Sequence, residues 1–316
     1  MSFLKKLSSR RPERFLDSVD IDPQELDLAD DQDEFIDEFA GTLNLTLPDD
    51  DVNNEDIRAS HILRFNGRRN TGCNAVFEVM SADIVKENRS SFVLYTIQIS
   101  SHTGDIDISC IERRFSDFEK LNTVLRKRFP DQMEMVAFPR KVLVGNFRQA
   151  IIATRSRAFE QYLSHLYAIY QIRYCRDFLE FFLLDFLRDG YKHLQQERHR
   201  DAIKNLEYCL PITEKLYGNT NSTVINILCA LVVCYQSIER LRIAQKYSEA
   251  AVLCFDEDDG DETYIAVLIQ AIRLSWELGK DKQDLELKLQ KVKNKNIDVE
   301  TIPELKLICK QRCQSM

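Results

Sequence analysis

Residues 110–129, CIERRFSDFEKLNTVLRKRF, change period half-way along. Up to Arg114 the side chains alternate as in a strand. From Phe118 onward Leu121, Leu125 and Phe129 recur at helical spacing. Ser116 and Glu119 stand in the S-x-x-E spacing of a capping box, so a helix is expected to start right after two consecutive arginines. Neighbours on a strand face opposite ways. Arg113 is therefore expected to point away from Arg114 and to serve a structural or surface role, and Asp117 to make a capping or dipole contact at the helix start.

Working outward, the segment before this junction reads as strands. NAVFEVMSADIV (74–85) alternates weakly, SFVLYTIQIS (91–100) is rich in β-branched and aromatic residues, SHTGD (101–105) is a turn, and IDISCIERRF (106–115) alternates again. Three consecutive strands make an antiparallel meander. After the first helix comes a loop, PDQMEMVAFPRKVLVGNF, punctuated by Pro130 and Pro139. Two helical stretches follow, RQAIIATRSRAFEQYLSHLYAIY and CRDFLEFFLLDFL.

This order of elements, carrying RRFSDFEKL, FPRKVLVGNF and ATRSRAFEQYLSHL, resembles the phox-homology (PX) domain of the sorting nexins over residues 74–186. The resemblance implies a phosphoinositide-binding α+β module. It assigns Arg114 to the 3-phosphate of an inositol headgroup, Phe115 to stacking on the sugar ring, Lys141 to the 1-phosphate and Arg155 to the 4- and 5-hydroxyls. Phe115 stands where the family more often has tyrosine, which keeps the ring and removes a hydroxyl. The residue chemistry agrees with these assignments, because an Arg fork binds a phosphomonoester bidentately where Lys supplies a point charge. In the proline loop Met133, Met135, Val136, Val142, Leu143 and Val144 are candidates for insertion into a bilayer, some of them belonging instead to the core. Arg126, Lys127, Arg128, Arg140 and Arg148 are candidates for contact with anionic lipid.

Beyond residue 186 the strand signals end. LRDGYKHLQQERHRDAIKNLEYCLPITEKLYG and LCALVVCYQSIERLRIAQKYSEAAVLCFDE each read as a helix pair. Matching Tyr191 and Ala202 to Tyr235 and Ala244 gives a period near 40, the spacing of a tetratricopeptide-like array. TYIAVLIQAIRLSWELGKDKQDLELKLQKVK is a fainter third unit, and TIPELKLICKQRC a capping helix. A PX domain followed by such an array is similar to the sorting nexins with a PX-associated B (PXB) domain, and AIRLSWELGKDKQDLELKLQ is the segment most like them. The expected division is an acidic tail over 1–56, a linker over 57–73, the PX domain over 74–186, and over 187–316 a helical-repeat unit that binds a protein partner or the cytoplasmic tail of a membrane protein.

Charge is distributed unevenly along the 316 residues. Residues 1–56 carry 17 acidic and 5 basic side chains, and from Asp17 to Asp56 there is no Lys or Arg. Residues 57–185 carry 19 basic and 14 acidic side chains. The acidic segment is expected to be disordered, either as a solvated tail or with Phe35, Ile36 and Phe39 forming one face of a transient helix that docks on a partner.

Other classes are excluded on composition and motif. No apolar run approaches the roughly 20 residues of a membrane span, and no signal-peptide h-region follows the N-terminal charges. Nine cysteines show no CxxC pair and are expected to be reduced, mostly core, thiols of a cytosolic protein; Cys309 and Cys313, one turn apart, are the nearest thing to a metal or redox pair. P-loop, GxSxG, HExxH and kinase motifs are absent, so neither enzyme activity nor a cofactor is expected. The modest basic charge beside an acidic tail argues against nucleic acid. The resemblance therefore implies a peripheral adaptor that binds phosphatidylinositol 3-phosphate on early endosomes, set against a scaffold whose PX-like domain is structural or prefers another phosphoinositide.

Overall fold

The structure is a computed structural model that describes residues 75–87, 90–101, 109–142, 144–255, 261–295 and 297–312. The expected acidic tail and linker, residues 102–105 of the expected turn, Leu143 and Cys313 lie outside the described residues.

Three strands, β1 (Ala75–Glu87), β2 (Ser90–Ser101) and β3 (Ser109–Arg114), form an antiparallel sheet in the order β1-β2-β3. On β2 the side chains of Val93, Tyr95, Ile97 and Ile99 are buried at every second position, and Ile111 joins them from β3. The register of β1 against β2 shifts between Val79 and Ser81, and at that irregularity the Val79 N–H donates to Glu160 Oε1 at 2.8 Å. The bulge thereby ties the sheet to a helix packed on it.

Helix α1 (Phe115–Arg128) follows β3 without a connecting residue. It starts two residues earlier than the expected capping box requires. Asp117 supplies the contact instead, Oδ2 accepting from the Arg114 N–H at 2.9 Å, as expected for a carboxylate in a first helical turn. Ser116 Oγ is buried and finds no hydrogen-bond partner among the described residues, so the expected Ser116–Glu119 box is replaced. A short α2 (Pro130–Met133) and the proline loop lead to α3 (Gln149–Ala168). The rings of Phe118 on α1 and Phe159 on α3 stack at 3.7 Å, with Phe181 against Phe118 at 4.9 Å. Apolar residues at i, i+4 and i+7 on α3, namely Phe159, Leu163 and Leu166, turn one face of the helix into this core.

A single turn, α4 (Tyr170–Arg173), precedes the helical array. The array consists of α5 (Arg176–Gln195), α6 (His199–Tyr217), α7 (Ser222–Ser237), α8 (Leu241–Cys254), α9 (Glu262–Glu277) and α10 (Gln283–Lys293). These pair as α5/α6, α7/α8 and α9/α10, each pair packing on the next, and α11 (Leu305–Arg312) closes the stack against α7 and α9. The tetratricopeptide-like reading and the capping helix are borne out. At Gly190 helix α5 packs tightly on α6, where a Cβ would lie 3.0 Å from Leu206 Cδ2.

The repeat is written in the backbone. Glu197, Glu239 and Gly279 all have positive φ, at 58°, 63° and 63°, and stand 42 and 40 residues apart. At each of them the same two bonds close the preceding helix, for instance Glu239 N–H to Gln236 O and Arg240 N–H to Tyr235 O, the signature of a Schellman cap. Counted from these residues, Ala202 and Ala244 are equivalent, each five positions on. Tyr191 and Tyr235 are not, standing six and four positions before, although all four side chains are buried as expected.

Helix α5 runs unbroken through the expected boundary at 186/187. Its neighbours reach back into the sheet. Tyr208 Oη on α6 donates to Cys110 O at 2.9 Å, Lys215 Nζ donates to Ser109 Oγ at 2.8 Å, and Tyr167 Oη on α3 donates to Leu216 O at 2.8 Å.

Candidate functional site

The two arginines that end β3 go to opposite sides. Arg113 is buried: its Nε donates to Phe181 O at 2.7 Å, Nη2 to Phe182 O at 3.2 Å and Nη1 to Glu112 O at 2.6 Å, with the guanidinium 5.5 Å from the Phe181 ring. Burial lowers its pKa, and nearby Asp117 works in the other direction. Arg113 is therefore a tie between strand and helix α5, a structural rather than a surface residue. Arg114 faces the other way. Its Nε lies 3.9 Å from Asp117 Oδ1, and its guanidinium is 5.6 Å from the ring of Phe92 on β2.

Arg114, Phe115, Lys141 and Arg155 line one concavity together with Phe92, Val93, Ser116 and Asn146. The strand end delivers Arg114, the first residue of α1 delivers Phe115, the proline loop delivers Lys141, and α3 delivers Arg155, 40 residues beyond Phe115. The Arg155 guanidinium lies 4.2 Å from the Phe115 ring centroid, and its Nη2 donates to Asn146 Oδ1 at 2.9 Å. Arg155 is only 4% exposed and its Nε finds no hydrogen-bond partner among the described residues. Phe115, 8% exposed, is thus the platform that holds Arg155 flat. Lys141 is exposed, with Nζ 3.7 Å from Glu119 Oε2, an arrangement that adds little stability and yields easily to a stronger anion. Three cations from three elements around a ring form a site for a compact, multiply charged oxyanion.

Sequence reasoning missed Phe92 and Asn146. The aromatic at the start of β2 reads only as a strand former, and a lone Asn in a loop carries no signal until its fold neighbour, Arg155, is known.

The loop residues divide. Met133 and Val136 are core, whereas Met135 and Val144 are 87% and 69% exposed; Val142 is half-buried. Arg126 is spent on the loop itself, donating to Met133 O at 2.8 Å and to Val136 O at 2.5 Å, and Arg128 pairs with Asp177. Of the five expected cations, Lys127, Arg140 and Arg148 remain exposed without such ties. No described helix is long and apolar enough to cross a membrane. Among the described residues, no group of three His, Cys, Asp or Glu is placed to hold a metal ion.

Residues 77–185 match the family model of the PX domain. The chain is 35% identical over 217 residues to sorting nexin-20 of Bos taurus, covering 68% of this chain and 68% of that protein. It is also 35% identical over 234 residues to sorting nexin-21 of Mus musculus, covering 73% of this chain and 64% of that one. Among solved structures, a designed CISK-PX domain is similar at 21% identity and a TM-score of 0.30, covering 34% of this chain and 98% of that structure. With the helical array following the PX domain as it does in the PXB subgroup, the chain belongs to the sorting nexins and is a membrane-associated sorting adaptor.

Proposed function

We propose that the protein binds phosphatidylinositol 3-phosphate on early endosomes, and that its helical array holds a protein partner or the cytoplasmic tail of a membrane protein. The convergence of Arg114, Lys141 and Arg155 on one concavity around Phe115 carries this reading. Arg114 takes the 3-phosphate as a bidentate partner, Lys141 takes the 1-phosphate, and Arg155, oriented by Phe115 and Asn146, reaches the 4- and 5-hydroxyls. Met135 and Val144, with Val142 behind them, enter the interface beside the bound headgroup. In the array Trp276, 71% exposed on α9, is the large apolar side chain best placed to anchor a partner. Residues 75–186 then serve the lipid and the later helices the partner, two weak linked contacts that gain through effective concentration.

Sedimentation with vesicles containing each phosphoinositide in turn tests the reading. Wild type should pellet with phosphatidylinositol 3-phosphate, and Arg114→Gln should lose at least tenfold, since a charge-assisted bidentate contact contributes about 1.5–3 kcal/mol. The contacts Arg114–Asp117 and Lys141–Glu119 favour the competing reading of a purely structural PX domain. Unchanged sedimentation of a well-folded Arg114→Gln protein would decide for that competitor, and equal binding to another phosphoinositide would remove the assigned selectivity.

A further inference from the structure

Beside the headgroup concavity, and sharing Arg155 with it, lies a second and larger cavity of about 980 Å³ between the proline loop and α3. Its walls are mostly apolar: Phe138, Pro139 and Val142 from the loop, and Ile151, Ala158 and Tyr162 from the helix. Arg140 stands at its loop side, and Arg148 precedes the first turn of α3 at its end; both are exposed and neither has an ion pair among the described residues. The carboxylate in the lining, Glu160, is engaged by the Val79 N–H. The groove is therefore apolar within and positive at its edge. Its shape and length suit an amphipathic helix: α3 offers it residues 150 to 165, about 22 Å at 1.5 Å per residue.

The same chain contains a segment of the complementary kind. Residues 33–41, DEFIDEFAG, would place Phe35, Ile36 and Phe39 on one helical face, flanked by Asp33, Glu34, Asp37 and Glu38. The described chain begins at Ala75, whose N–H donates to Tyr167 Oη at 3.3 Å, near the C-terminal end of α3 and hence next to one end of the groove. Thirty-three residues lie between position 41 and Ala75. At up to about 3.3–3.6 Å per residue they can reach any point along the groove. Tethering so close makes even a weak contact effective.

We propose that residues 33–41 dock as a helix in the groove between the proline loop and α3, with Phe35, Ile36 and Phe39 inside it and their neighbouring carboxylates on Arg140 and Arg148. Docking places negative charge beside Arg155 and Lys141 and holds the proline loop away from the bilayer. The segment thereby restrains membrane binding. This regulatory consequence, though not the docking itself, rests on the phosphoinositide reading above.

Hydrogen exchange on the full chain without lipid tests the docking. Segments 33–41 and 137–142 should exchange several-fold more slowly in wild type than in the triple variant Phe35→Ala/Ile36→Ala/Phe39→Ala. Arg140→Glu, an exposed charge reversal, and Ala158→Trp, which fills the groove, should abolish the protection too. Equal exchange in wild type and triple variant would overturn the proposal. So would protection that survives both groove variants, because the segment would then sit elsewhere, or protection that appears only with phosphatidylinositol 3-phosphate vesicles, because lipid would then be the occupant. In sedimentation the triple variant should bind those vesicles several-fold more tightly. If no variant binds vesicles, the functional reading fails while the exchange data still decide the docking.

Discussion

Two adjacent arginines carry different duties because a strand alternates its faces. Arg113 is enclosed by α5 and satisfies two helix carbonyls, while Arg114 looks into the concavity. Replacing Arg113 by Gln should cost about 2–4 kcal/mol in urea unfolding, because it strips charged donors from buried acceptors and loosens the strand from the helix. Arg114→Gln should cost less, about 1 kcal/mol, since its ion pair with Asp117 is long, at 3.9 Å, and lies at the rim of the concavity. If the two substitutions were equally destabilising, the division into a structural arginine and one that faces the concavity would be wrong. The pair was legible in the sequence through period alone. The cap was not: Ser116 and Glu119 have the right spacing, but the helix begins at Phe115, and the side chain that meets the free backbone is Asp117. Spacing identifies a helix start only to within about two residues, and that shift decides which side chain does the capping.

At the scale of elements, the helix pairs are visible in small and aromatic residues, and the backbone shows why half of that match slipped. What recurs most strictly is the left-handed residue after the first helix of each pair, filled by Glu197, Glu239 and Gly279. Glycine is the residue that adopts this conformation at little cost, whereas a side chain there adds about 1–2 kcal/mol. Glu239→Gly should therefore raise stability by about 0.5–1 kcal/mol, after the greater freedom of glycine in the unfolded chain is subtracted. A lower denaturation midpoint would argue against this account of the turn. Glu197 is different, because there the side chain holds the closing helix: Lys306 and Lys310 of α11 lie 3.5 and 3.0 Å from its Oε1. Hydrogen bonding from Lys310, then its charge and that of Lys306, holds the Glu197 carboxyl below its ordinary value of 4.5. The contact is thus fully present above that value and is lost as pH falls through the depressed one. Protection of α11 amides from exchange should decline over that acid range, less steeply at high salt, and Glu197→Gln should remove the pH dependence. A decline of the same shape in Glu197→Gln would assign it to other carboxylates.

Over the whole molecule, the sequence reveals kinds of structure more readily than their joints. The meander, the first helix, the residues that line the concavity and the array were all readable, since each depends on local period or on a local motif. The groove between loop and α3 was not, because its walls come from two segments whose approach only the fold decides. The joint between sheet and array is likewise a matter of the fold. A composition change at residue 186 suggests a boundary, yet α5 passes through it with Leu183 and Leu187 buried on either side. Hydrogen bonds from α6 to Ser109 and Cys110 and from Tyr167 to Leu216 span the junction, and Arg113 clamps β3 to α5. Where a helix and its packing are shared, neither side can unfold without exposing the other's core. Calorimetry on the full chain should accordingly show one transition, with van't Hoff and calorimetric enthalpies equal to within about 10%. Arg113→Gln should lower that single transition rather than split it. A chain ending at residue 186 should be destabilised or aggregate, because the cut leaves α5 without Leu187, Tyr191 and Leu194, the residues it buries against α6. Two resolved transitions, or a well-folded chain ending at 186, would show that the sheet domain and the helical array are independent folding units. One transition would mean that sheet and array form one cooperative unit with a fixed relative orientation, so that under the proposed function a partner's position would be set by the seated headgroup.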